Sequence, residues 1–146
     1  MKIEGLIHEV AGAISVLHQI GDTPVFEQDM DDVEQGIENV SKTLRCIVVG
    51  WNGCEHVASK LAQDDDPDAL YVQANLVVSV YENPRENRPG GPSLLEMAAA
   101  IAKAINNTAA EDMDDGIHFV RITPIEKIKH GIITCDIVFR TKNNLA

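Results

Sequence analysis

From Leu70 to Tyr81 the chain alternates without a break. Leu70, Val72, Ala74, Leu76, Val78 and Val80 fall on one parity, and Tyr71, Gln73, Asn75, Val77, Ser79 and Tyr81 on the other. A period of two means a β-strand, because successive side chains point to opposite sides of an extended backbone. The first set is wholly apolar and the second is more polar, so one face is buried and the other faces something else. Strands usually run ~3–10 residues, so one this long belongs at the centre of a sheet.

The remaining elements are read around it. Ile3, Ile7, Val10, Ile14 and Leu17 recur at steps of three and four, which predicts a helix over residues 3–19, ended by Gly21. A short segment around Pro24, Val25 and Phe26 follows. Asp29 stands at an N-cap position, and Met30, Val33, Ile37, Val40 and Leu44 trace a second helical stripe that Gly36 weakens. TLRCIVVGW, residues 43–51, is β-branched and stops at Asn52-Gly53, a strand with a buried centre. Ser93 and Glu96 make a capping box for a helix that buries Leu94, Ala98, Ile101 and Ile105. Two last strands, 117–125 and 132–141, flank Lys129-His130-Gly131 as a hairpin, with Ile133, Cys135, Ile137 and Phe139 on one face. This order breaks strict βαβ alternation. It predicts an α+β fold, a mostly antiparallel sheet of four to five strands with helices packed mainly on one face, as a single domain over residues 1–146.

Charge and composition remove several function classes. The net charge of −11 repels a phosphate backbone, so sequence-specific nucleic-acid binding is not expected. No apolar run reaches the ~18–20 residues a membrane span needs, and Glu4, His8 and Glu9 break up the N-terminal apolar stretch that could pass for a signal peptide. Three cysteines without CxxC spacing, Cys46, Cys54 and Cys135, imply neither a disulfide framework nor a zinc knuckle, and fit a reducing place of synthesis. The five histidines form no HxH or HExxH pair, and DDDPD, residues 64–68, fails the calcium-loop pattern at Ala69 and Asn75. RPGGPS leads into a helix start but lacks the lysine of a phosphate loop, and no GxSxG elbow is present. No catalytic residue, metal or cofactor is therefore assigned. A rival reading is a small metal- or ligand-binding, enzyme-like domain built on Cys54, His56 and the acidic turn 64–68.

What stays unexplained is surface. YENPRENRPGGPS, residues 81–93, sets two arginines, two glutamates and three prolines between a strand and a helix, where connections of ~2–6 residues are usual. Tyr71, Val77 and Tyr81 would join Ile47, Val49 and Trp51 on the second sheet face if the two strands pair. Either a further helix covers that face or a partner does. Tyr, Trp and Arg are the residues that concentrate binding energy at interfaces.

The stretch LVVSVYENPRENRPGGPSLLEMAAAIAKAIN, residues 76–106, resembles a segment of bacteriophage tail-terminator and tail-completion proteins, a class that includes prophage minor tail proteins. A hydrophobic strand there ends in a Glu-Asn-Pro turn, followed by a loop with Asn, Arg and Gly and then an amphipathic helix. The matching positions are Glu82, Asn83, Pro84, Asn87, Arg88, Gly90 and Gly91, and CIVVGWNG and the closing hairpin sit in the family's order. The resemblance implies an α+β subunit that forms a ring, commonly a hexamer, on the end of the tail tube and docks the head connector. It implies a place in the virion, assembly in the host cytoplasm, and no catalysis. The interface residues it suggests are Glu82, Asn83, Pro84, Arg85, Asn87 and Arg88, with Tyr71, Tyr81 and Trp51 on the sheet. Arg85 and Arg88, held by Pro84, Pro89 and Pro92, would pair with acidic groups of a neighbouring subunit or tail protein.

Overall fold

The computed structural model describes residues 2–27, 44–56, 70–85, 91–109 and 115–144. They form helix α1 (Ile3–Ser15), strands β1 (Val25–Glu27), β2 (Arg45–His56) and β3 (Tyr71–Glu82), helix α2 (Leu94–Ile105), and strands β4 (His118–Ile122), β5 (Glu126–Lys127) and β6 (Ile133–Asn144). The six strands make one sheet in the order β1-β2-β3-β6-β4, with β5 also pairing to β6. All pairs are antiparallel except β1 with β2. The fold is α+β, as the element order predicts, with six strands where four or five are expected, the short β1 and β5 among them.

The alternating stretch is the centre. β3 pairs over its whole length with β6, from Tyr71 opposite Asn144 to Glu82 opposite Ile133. Its apolar parity is the core face: Val72, Ala74, Leu76, Val78 and Val80 are buried. Opposite them stand Ile47, Val49 and Trp51 of β2, and Cys135, Ile137 and Phe139 of β6. This corrects the pairing expected for the second face. Ile47, Val49 and Trp51 face the core and not Tyr71, Val77 and Tyr81, because the register sets odd residues of β2 against even residues of β3. A register offset of one residue exchanges the faces of a strand, and the composition of β2 is too uniformly apolar to reveal it.

Both helices cover that same face. α1 lies over β1 and β2, and α2 over β3, β6 and β4. Leu6, Ile7, Val10, Ala11 and Ile14 of α1 meet Leu94, Met97, Ala98, Ile101 and Ile105 of α2 in one continuous core. Each fully buried Ile, Leu or Phe contributes about 1.5–3 kcal/mol relative to exposure. α1 ends at Ser15, earlier than its periodicity suggests. Leu17 turns extended, at φ −70° and ψ 130°, and packs on the core from outside the helix, and a 3₁₀ turn, His18–Ile20, then seats Ile20 in the core.

Two boundaries differ from expectation for local reasons. β2 does not stop at Asn52-Gly53 but continues to His56 through a bulge, where the register slips between Trp51 and Cys54. Gly53 sits at φ +83°, a left-handed position that costs glycine little. The expected hairpin is present, with β4 and β5 both antiparallel to β6 and a 3₁₀ turn at Lys129–Gly131. The helix expected from Asp29 through Val40 lies outside the described residues. Its last position, Leu44, has φ 66° and leads directly into β2.

Candidate interaction surface

The face of the sheet opposite the helices is built by strand parity alone. Reading across β2, β3 and β6, its rows are Cys46, Tyr81 and Thr134; then Val48, Ser79 and Asp136; then Gly50, Val77 and Val138. β4 adds Arg121 opposite Val138 and His118 opposite Arg140, while Lys142 lies opposite Gln73. The first row is closed: Cys46, Val48, Tyr81 and Ile132 are buried together, with Phe26 and Ile128 packed against them. Farther along β3, Val77, Asn75 and Gln73 are half-buried, and Arg121, Arg140 and Lys142 are exposed. The face is therefore covered at one end and open and basic at the other.

A polar seam marks the boundary. The Ser79 hydroxyl donates to Asp136 Oδ1 at 2.7 Å, and the Asp136 and Thr123 backbones are tied by two bonds of 2.8 Å through Thr123 N and Oγ1. Burial pushes the Tyr81 phenol above its usual range, and the neighbouring Asp136 and Cys46 add to this. Burial, with Asp136 beside it, also raises the Cys135 thiol to about 11. On the β4 side His118 Nε2 lies 2.9 Å from Asp115 Oδ1. Burial of Asp115 favours its neutral form, but hydrogen bonds and the His118 charge prevail and lower its pKa.

Among the described residues, the interface positions named from sequence do not form one patch. Glu82 is buried, and its Oε1 accepts the Leu94 backbone N–H at 3.2 Å. That carboxylate caps the start of α2, where free amides and the helix dipole favour negative charge. Next to it the expected capping box is complete: Ser93 Oγ accepts from Glu96 N at 3.2 Å and Glu96 Oε2 accepts from Ser93 N at 3.3 Å. Asn83, Pro84 and Arg85 form a short rim beyond β3. Asn83 N donates to the Leu44 carbonyl at 2.9 Å, Asn83 Oδ1 accepts from Arg85 N at 3.3 Å, and the Arg85 side chain lies beside Gly131. Asn87, Arg88 and Gly90 lie outside the described residues. Tyr81 is buried near this rim, Tyr71 sits at the far end of the same strand, and Trp51 packs against the helix-side core. At ~3.3 Å per residue the two tyrosines are some 33 Å apart.

Arg121, Arg140 and Lys142 were not singled out by sequence. Arg140 and Lys142 at a spacing of two, between the buried Phe139, Thr141 and Asn143, are a legible signal once β6 is known to be central. Arg121 is not, because a register shift between Phe119 and Arg121 changes which face it takes.

The chain shares its fold with a virion protein. Over 94% of its length it superposes on 91% of a chain from the structure titled "Virion of native gene transfer agent (GTA) particle", with a TM-score of 0.56 and 16% sequence identity. No protein-family model matches the sequence, and no curated protein does.

The parts proposed for the metal-binding rival do not converge among the described residues. Past the bulge Cys54 and His56 share one side of β2, both exposed, and the 64–68 turn lies outside the described residues. No three of His, Cys, Asp and Glu come together among the described residues. A cleft of about 190 Å³ lies between α1 and the end of α2, lined by Leu6, Val10, Ile105 and Ile117 with Glu9 as its ionisable group. No helix among the described residues is long and apolar enough to cross a membrane.

Proposed function

We propose that this chain is a structural subunit of a phage-like virion, and that it is the subunit that closes the tail: a ring, of six copies in the assembled particle, that caps the tail tube and joins it to the head connector. The observation that carries this reading is the near end-to-end fold match with a chain of a gene transfer agent virion, 94% of one chain on 91% of the other. The resemblance of residues 76–106 to tail-terminator proteins supports the narrower role. The open, basic face beside a closed apolar end suits a subunit that contacts protein on more than one side. The reading asks no catalysis of the chain and needs no cofactor. It places the protein in the virion after assembly in the host cytoplasm.

Deleting the gene in a particle-producing strain tests it. Electron microscopy should show heads without tails, and tail tubes of uncontrolled length. Normal particles from the deletion strain would refute the role. Stoichiometric metal in the purified protein would favour the Cys54/His56 rival instead.

A further inference from the structure

We infer that the basic end of the open sheet face is where one copy of this chain grips the next, and that its counterpart is the acidic β1/α1 edge of the neighbouring copy. This rests on the ring reading above and supplies its subunit contact.

The charge of the chain is not spread evenly. Residues 115–144 carry five Lys and Arg against three Asp and Glu, whereas residues 1–114 carry seven against twenty. Within this positive segment, Arg121, Arg140 and Lys142 stand on one face of two paired strands. Same-face neighbours of this kind lie ~5–8 Å apart, and like charges so placed repel. None of the three side chains forms an ion pair among the described residues, although the Lys142 backbone N–H donates to the Asp115 carboxylate and Glu55 shares the Gln73–Lys142 row. Along the same β4 edge Phe119 (40% exposed), Val120 (37%) and Ile125 (45%) supply apolar contact area.

The opposite sheet edge has the opposite sign. β1 carries the exposed Glu27, which meets His8 of α1 at 2.5 Å, and Glu4 stands one turn before His8 on the same flank. Besides His8 and His18, residues 2–27 offer one lysine, Lys2, and no arginine against these acids, and the nearby Arg45 is already held by Asp22 at 2.5 Å. The outermost ridge of α1 reads Gly5, Glu9, Gly12 and the 82%-exposed Val16. A Cβ at either glycine would meet nothing within 4 Å, so no packing among the described residues requires them. Each costs about 0.5–1 kcal/mol of helix stability relative to alanine.

Two complementary patches on opposite edges of one sheet make a head-to-tail contact, which forms a ring when its rotation closes and a filament when it does not. Nucleic acid would match the basic strip but leaves the acidic edge without a role.

The test uses the purified full-length chain and two variants, Arg121→Glu/Arg140→Glu and Glu4→Lys/Glu27→Lys, followed by sedimentation velocity and native mass spectrometry. Wild type should self-associate, more strongly at low salt. Each variant alone should associate about 100-fold more weakly, as expected when like charges are opposed. Mixed one to one, the variants should regain association, because each intact patch meets its complement and so does each reversed one. That recovery also shows that both variants fold. Wild-type-like association of either variant, no recovery on mixing, or a wild type that stays monomeric at ~1 mM and low salt would overturn the contact. So would duplex DNA binding that is lost in the arginine variant while association is unchanged. Rings that ignore both reversals defeat only this contact, whereas normal particles from the deletion strain defeat the ring reading.

Discussion

Glu82, at the end of β3 where a charged loop sequence begins, is 6% exposed and holds the first amide of α2. Replacing it with alanine leaves a buried helix start short of an acceptor, a loss of about 1–3 kcal/mol. Glu82→Gln should cost less, and urea denaturation of the two variants separates the charge from the hydrogen bond. Ser93→Ala should cost ~1 kcal/mol by the same measurement. Titration supplies a second residue-scale prediction. Cys135 and Tyr81 both have folded pKa values above their free ones, so the folded chain holds these protons more tightly. Their stabilising contribution is intact below about pH 9 and is lost as pH rises towards 11, where the unfolded thiol, with its pKa of 9.0, ionises first. The denaturation midpoint should therefore fall over that window, and the fall should shrink in Cys135→Ala relative to its own neutral baseline.

At the scale of the element, the register of β2 decides most of what is buried. The bulge at Asn52-Gly53 lets one strand keep pairing after its side-chain parity changes: Trp51 and Cys54, three apart, both oppose core-side residues of β3. Gly53→Ala should destabilise by about 1–2 kcal/mol, because the left-handed conformation penalises a Cβ. Gly5→Ala and Gly12→Ala in α1 should do the reverse, raising stability by about 0.5–1 kcal/mol each, since both positions are helical and open. In β6, Phe139 is fully buried and meets Phe119 edge to face at 6.1 Å. Phe139→Ala should cost about 3–5 kcal/mol, by far the largest effect among these substitutions.

At the scale of the molecule, the architecture is lopsided. Both described helices cover one face, and the other face is sealed only where Cys46, Val48, Tyr81 and Ile132 cluster with Phe26 and Ile128. In the proposed contact, the opposed charge of the two sheet edges sets the direction of association. If head-to-tail contact drives assembly, raising salt from ~0.05 to ~0.5 M should dissociate the oligomer without unfolding it, because exposed pairs are screened over ~4–14 Å in that range. Sedimentation and circular dichroism on the same samples would show the two effects apart.

Elements with a strict period were legible in advance. The alternation of 70–81, the helical stripe beginning at Ile3, the Ser93-Glu96 box and the closing hairpin all follow from spacing, because a periodic apolar pattern allows one backbone geometry to bury it. What depended on pairing was not. Only the folded sheet decided that β6 lies between β3 and β4, that Val25–Glu27 joins β2 in parallel, that Ile47, Val49 and Trp51 face the helices, and that Arg121 lands beside Arg140. The physical reason is that the partner and the register of a strand are set by contacts far away along the chain. A short apolar segment such as CIVVG satisfies both faces equally well until its neighbours choose between them.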